Sequence, residues 1–189
     1  MKIGKTFYAT DRKTWRSWLV KNHQKENEIW LIYYKKVSGK PRIPYNDAVE
    51  EALSFGWIDS IVKNIDDERF AQRFSPRKPN SQLSQMNRER IRRLIAQKRM
   101  TPAGLAAIAH TFKADSDNED FTISDDILGA IKENTDAWVH FQRFPESYKR
   151  IRIAYIESQR RHGAEAFERS LRNFIRMTAR GKRFGFVRE

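Results

Sequence analysis

The chain has no cysteine, and its four histidines, His23, His110, His140 and His162, stand far apart. Without thiols there is no disulfide framework, no thiolate metal site and no cysteine nucleophile. No histidine pair has the i, i+4 spacing of a helical metal site, so neither a dedicated metal nor a cofactor is expected. A Gly-x-Ser-x-Gly elbow and a glycine-rich phosphate loop are both missing, which removes the usual signs of a catalytic serine or a P-loop. The N-terminus, Met1-Lys2-Ile3-Gly4-Lys5-Thr6-Phe7, lacks the apolar run of a signal peptide. No stretch reaches the length of a membrane span. A cytoplasmic protein without a transmembrane segment is the expectation.

Acidic side chains are scarce in one place. Residues 69–113 hold eleven Lys or Arg and one acid, Glu89. Residues 114–140 invert the balance with one base and eight acids, and residues 141–189 return to thirteen bases against five acids. The chain as a whole carries +13 with a pI near 10.1. Such a balance favours an anionic small molecule or a polyanion as partner, nucleic acid among them. At 189 residues, with 39% hydrophobic and 12% aromatic content, there is enough bulk for a packed core.

Hydrophobic spacing predicts an α+β fold: a small antiparallel sheet packed by helices, then an all-helical C-terminal segment. Thr10 or Asp11 caps a first helix bearing Trp15, Trp18 and Leu19, and residues 28–36 read as a strand covered on both faces. Asn46 is read as the cap of a second helix that Gly56 stops. Strands are expected at 61–65 and 69–74, a helix from Ser81 to Arg99, and another opened by Thr101-Pro102. Three more helices follow, capped or opened by Ser124 and Pro145, the last with Arg169, Arg172, Arg176 and Arg180 on one side. The domain reading is an α+β domain over 1–113, an acidic linker over 114–123 and a helical segment over 124–189.

Candidate site residues gather in the basic block. The loop holding Arg77, Lys78 and Ser81, at the start of the helix expected from Ser81, offers cations beside free amides and suits phosphate, sulfate or a carboxylate. Asn87 and Arg90 fall on or beside the buried side of that helix, where polar groups need partners or line a cavity. Ser84 lies on the same turn. Asp59, expected near Lys63 or Arg73, would serve as a general base or a ligand-orienting carboxylate, or else pair with Arg73 or cap a turn. Trp57 and Phe74 would wall the hollow. The tail around Phe184 and Phe186, rich in cations, suits single-stranded nucleic acid or an anionic lipid surface.

The run Glu51-Ala52-Leu53-Ser54-Phe55-Gly56-Trp57-Ile58-Asp59, continued by Arg73-Phe74-Ser75-Pro76-Arg77-Lys78 and by Ser81, Ser84, Asn87 and Arg90, resembles the bacteriocin-protection family, also labelled YdeI or OmpD-associated. The likeness extends to Thr101-Pro102-Ala103-Gly104-Leu105 and to Trp138, Phe141, Pro145, Ser147 and Tyr148, covering most of residues 7–183. Leu83, Ser54 and Tyr155 depart from the family pattern, standing where Trp, Cys and Trp are usual. The resemblance implies protection against antimicrobial peptides and supplies no reaction, cofactor or catalytic residue. A porin-associated role would imply the envelope, and the missing export signal points the other way.

These features read as a binding module for an anionic ligand, with Trp57, Asp59, Lys63, Arg73, Arg77, Lys78, Ser81, Ser84, Asn87 and Arg90 as pocket candidates. Two alternatives stay open: nucleic-acid binding without sequence preference, and an enzyme using Asp59 as acid or base.

Overall fold

The computed structural model describes residues 2–79, 81–112 and 121–185, which divide into two compact units. The described residues within 1–83 and 90–112 form the first, and those within 84–89 and 113–189 the second. The acidic run Asp115–Asp120, expected as part of a linker, lies outside the described residues.

The first unit contains β1 (Thr6–Tyr8), α1 (Arg12–Asn22), β2 (Ile29–Tyr34), α2 (Tyr45–Ser54), β3 (Trp57–Asn64) and β4 (Arg69–Pro76). It is completed by the latter part of α3 (Gln85–Ala96) and by α4 (Pro102–Ile108). The strands form one sheet in the order β1-β2-β4-β3. β4 runs antiparallel to both β2 and β3, but β1 lies parallel to β2. The sheet is therefore mixed rather than antiparallel throughout. The cause is α1, which returns the chain across the sheet so that β2 enters in the same direction as β1.

Local chemistry sets the boundaries. The Asp11 carboxylate accepts the Thr14 amide at 2.8 Å and starts α1. Asn46 does not cap α2; Pro44 holds that position, and the Asn46 side chain accepts from Arg90 instead. At the far end of α2 Gly56 takes φ +76 and turns the chain directly into β3, which begins at Trp57 and not at Ile61. Gly56 is also a contact point: a Cβ there would lie 2.7 Å from the Ala107 Cβ, and one on Gly104 would lie 2.2 Å from the Ser54 carbonyl oxygen. Thr101 seals this junction, its hydroxyl donating to the Ser54 carbonyl at 2.7 Å and accepting the Gly104 amide at 3.1 Å.

One face of the sheet, with Ile29, Leu31, Tyr33 and Phe74, packs under Trp15 and Leu19 of α1 and Val49, Ala52 and Leu53 of α2. Trp15 stacks on Trp18 at 5.2 Å and donates its indole N–H to the Ala48 carbonyl at 3.0 Å. Burying each such aromatic stabilises by roughly 2–3 kcal/mol. The opposite face carries Trp30, Ile32 and Ala71, flanked by Ile3 and Tyr34.

Two acids sit inside this unit. Glu50 and Glu51 of α2 are 2% and 1% exposed. Arg12 bonds to both and to Asp47, Arg93 reaches Glu50, and Arg16 and Arg99 reach Glu51. Buried carboxylates persist only with such partners.

The second unit is helical among its described residues: α5 (Asp125–Glu133), α6 (Thr135–Arg143), α7 (Glu146–Ser158) and α8 (Ala164–Thr178). Asn134 separates the first two and caps α6 by accepting the Ala137 amide at 2.9 Å. Ile127, Ile131, Phe141, Tyr148, Ile153, Ile156 and Phe174 make its core. Phe184 closes over it, its amide donating to the Tyr148 hydroxyl at 3.1 Å. Among the described residues no helix is long and apolar enough to cross a membrane.

Candidate functional site

Strand register sorts the basic block of the first unit. Arg73 lies opposite Trp30, and Lys63 opposite Ala71, so both belong to the sheet face away from the helices. Arg73 donates from Nε to Glu28 Oε2 at 2.7 Å, and the Lys63 ammonium lies 6.0 Å from the Trp30 ring centre. Asp59 is on the other face, beside Phe74, so the expected Asp59–Arg73 pair does not form. Trp57, 1% exposed, is core and donates to the His23 carbonyl at 3.1 Å.

Arg77 closes its own loop. Its Nη2 donates to the Ser81 carbonyl and hydroxyl, both at 3.0 Å, and to the Gln82 carbonyl at 3.2 Å. The helix expected from Ser81 begins at Gln85. Ser84 provides the cap: its hydroxyl accepts the Asn87 amide at 3.3 Å and its carbonyl the Arg88 amide at 3.0 Å. Ser84 and Asn87 belong to the second unit, while Lys78 is exposed and Arg90 belongs to the first.

Around Asp59 a polar group does assemble. Its Oδ2 accepts the Tyr45 hydroxyl at 2.9 Å and the Gln72 amide at 2.7 Å. The Tyr33 hydroxyl, on a side chain only 2% exposed, finds no hydrogen-bond partner among the described residues. Burial pushes the Tyr33 phenol well up, and the Asp59 charge adds to it. The Tyr45 phenol is pushed up to about 12 for the same two reasons, in the same order. Arg90, 5% exposed, donates from Nη2 to Asn46 Oδ1 at 2.7 Å, and burial lowers its guanidinium against the pull of Tyr45 and Asp59.

A second assembly escaped the sequence reading. On α7 the residues Tyr148, Arg152 and Tyr155 recur at i, i+4 and i+7, one side of a helix, and Gln159 at its C-cap continues that side. Arg152 sits between Ile151 and Ile153 and is 8% exposed. Its guanidinium carbon lies 4.1 Å from the Phe184 ring centre and 5.0 Å from that of Tyr155. Gly185, at φ +94, brings the backbone against it; a Cβ there would be 3.0 Å from Arg152 Nη1. No described carboxylate pairs with Arg152, and its Nε has no acceptor. Burial lowers this guanidinium, opposed by Tyr148 and Tyr155.

Arg152 lines an open groove of about 830 Å³. Its other wall is α8, which contributes Arg169, Arg172, Asn173 and Arg176. Among the described residues Arg169 and Arg172 make exposed i, i+4 pairs, with Glu165 at 3.8 Å and Glu168 at 3.1 Å. Such pairs contribute little and yield readily to a better anion. Four arginines face one hollow, and one of them, Arg152, is buried with no described carboxylate beside it, so positive charge is concentrated there. The signal in the sequence was the lone charge in Ile151-Arg152-Ile153.

Residues 7–107 match the family model of the domain of unknown function DUF8412, and residues 120–181 match the one described as bacteriocin-protection, YdeI or OmpD-associated. The runs 51–59 and 73–90 thus fall under the first match, and Trp138, Phe141, Pro145, Ser147 and Tyr148 under the second. No curated protein and no solved structure matches the chain.

Proposed function

For a chain that belongs to the DUF8412 family and carries a bacteriocin-protection, YdeI or OmpD-associated domain at residues 120–181, we propose the role of a cytoplasmic binding module for an anionic ligand. The observation that carries it is Arg152. A guanidinium removed from water with no carboxylate among the described residues in reach is costly to the fold. An anion seated in the groove supplies the missing charge, and Arg169, Arg172 and Arg176 raise its local concentration. On this reading the protection named in the family description runs through an anionic component, since the groove repels a cationic peptide.

Thermal unfolding of the full chain at low chloride, titrated with pyrophosphate, tests it. The melting temperature rises with pyrophosphate concentration, because a ligand bound only to the folded state stabilises it. In Arg152→Gln that rise disappears. Equal responses of the two proteins, or none from either, would reject the proposal.

A second reading rests on Asp59. Its half-buried carboxylate, bonded by Tyr45 and Gln72 near the unpartnered Tyr33 hydroxyl and the buried Arg90, is a group of unlike charges of the kind acid–base sites use. Asp59 and Arg90 are the sequence candidates that enter it. Asp59→Asn keeps the hydrogen bonds in part and removes the base. Loss of turnover in a substrate screen with an unchanged melting temperature supports this reading; a lower melting temperature as the only effect makes the group structural.

A further inference from the structure

Resting on the anion-binding reading of the same groove, we infer that its ligand is single-stranded nucleic acid, with the strand's phosphates along α8 and a base against Tyr155. The open groove of about 830 Å³ has room for a ligand much larger than a lone phosphate. Arg169, Arg172 and Arg176 lie three and four residues apart on one helix. At 1.5 Å per residue they span about 10 Å, the reach of about two to three phosphates of a strand. Their charges thus repeat along a line, which suits a polymer of phosphates.

The groove also offers a flat surface. Tyr155 is 48% exposed, with the Arg152 guanidinium held 5.0 Å from its ring centre. An exposed aromatic ring beside a row of cations is the arrangement by which single strands are held, stacking tolerating any base. Gln159, Ser170 and Asn173 line the same hollow and present donors and acceptors to base edges. A lipid surface fits less well. The apolar residues of α8, Phe167, Leu171, Phe174 and Ile175, pack into the core of the second unit, which leaves its outward side polar with no apolar face to insert.

Fluorescence anisotropy of the full chain with labelled ten-nucleotide oligothymidylate and oligouridylate tests the assignment. Saturable binding is expected at low salt, with log K falling against log salt at a slope of about −2, the value for three phosphate contacts on a single strand. Tyr155→Ala weakens binding roughly tenfold without changing that slope. Arg172→Gln with Arg176→Gln reduces both affinity and slope. All three residues are exposed or half-exposed, and far-ultraviolet circular dichroism confirms that the variants stay folded. Stabilisation by pyrophosphate through Arg152 with no oligonucleotide binding would overturn the nucleic-acid assignment and leave the anion site standing. Binding to vesicles of anionic phospholipid, with none to oligonucleotide, would overturn it in favour of a membrane surface. Absence of any response to pyrophosphate, oligonucleotide and vesicles ends both readings.

Discussion

Glu89, the lone acid among the basic side chains of residues 69–113, is held by Arg150 in two bonds, Nε to Oε1 at 2.5 Å and Nη2 to Oε2 at 3.1 Å. Gln85 adds a third donor at 2.9 Å. The side chains of Glu89 and Arg150 are 8% and 15% exposed, so water screens the pair weakly. The acid is therefore a structural tie within the second unit, and the hydrogen bonds Arg150 donates to Glu89 raise its guanidinium against the effect of burial. Glu89→Gln, which leaves Arg150 buried with no full counter-charge, is expected to destabilise by about 3–5 kcal/mol in urea unfolding. Glu89→Gln combined with Arg150→Met recovers most of that loss, because the orphaned charge leaves with it.

The junction of α2 with α4 makes a second test. Gly104→Ala forces a Cβ to within 2.2 Å of the Ser54 carbonyl oxygen, a backbone atom that cannot swing aside. The substitution raises helix propensity, worth under about 1 kcal/mol, but the overpacking outweighs it. A net loss of about 3 kcal/mol is expected, read as a lower urea midpoint with unchanged slope.

Much of this architecture was legible from residues alone, and the exceptions share a cause. The Asp11 cap, the Gly56 stop and the Thr101-Pro102 start are local signals, each settled within a few residues. The parallel β1 was not, because strand direction depends on where α1 returns the chain. The candidate hollow was read along the sequence, whereas the pleat divides neighbours: Asp59 faces the helices, and Lys63 and Arg73 face away. The Glu50 and Glu51 cluster was missed since its arginines come from α1, α3 and the turn before α4, gathered only by folding. Arg152 was missed because a stripe count scores it as one polar break between isoleucines, and only its surroundings reveal that no described carboxylate stands beside it.

Tyr45 gives a pH signature. Its phenol stays protonated up to about 12 in the folded chain, through burial and then the Asp59 charge, against about 10 for an unfolded tyrosine. A group whose folded value is raised stabilises fully below the unfolded value. That stabilisation fades as pH climbs from about 10 through about 12. Tyr45 is 37% exposed, so solvent blunts the effect. Denaturant midpoints of wild type should fall more steeply than those of Asp59→Asn between pH 10 and 12, because the substitution removes the charge that opposes phenolate. Parallel curves for the two proteins would show that Asp59 does not govern Tyr45.

Arg152 separates a binding role from a structural one by the sign of a stability change. If it served the fold, Arg152→Met would lower stability by the lost contacts with Phe184 and Tyr155, about 1–2 kcal/mol for a desolvated cation over aromatic rings. The methionine, however, refills much of the same volume and keeps a soft contact with both rings. It also removes a buried charge whose Nε has no acceptor among the described residues, and relieving such a charge is worth about as much or more. The expected outcome is a melting temperature equal to or a few degrees above that of wild type without ligand, together with loss of the pyrophosphate-induced rise. A site residue retained at a cost to stability behaves in that way. A marked fall in melting temperature would instead make Arg152 a structural member of the aromatic cluster.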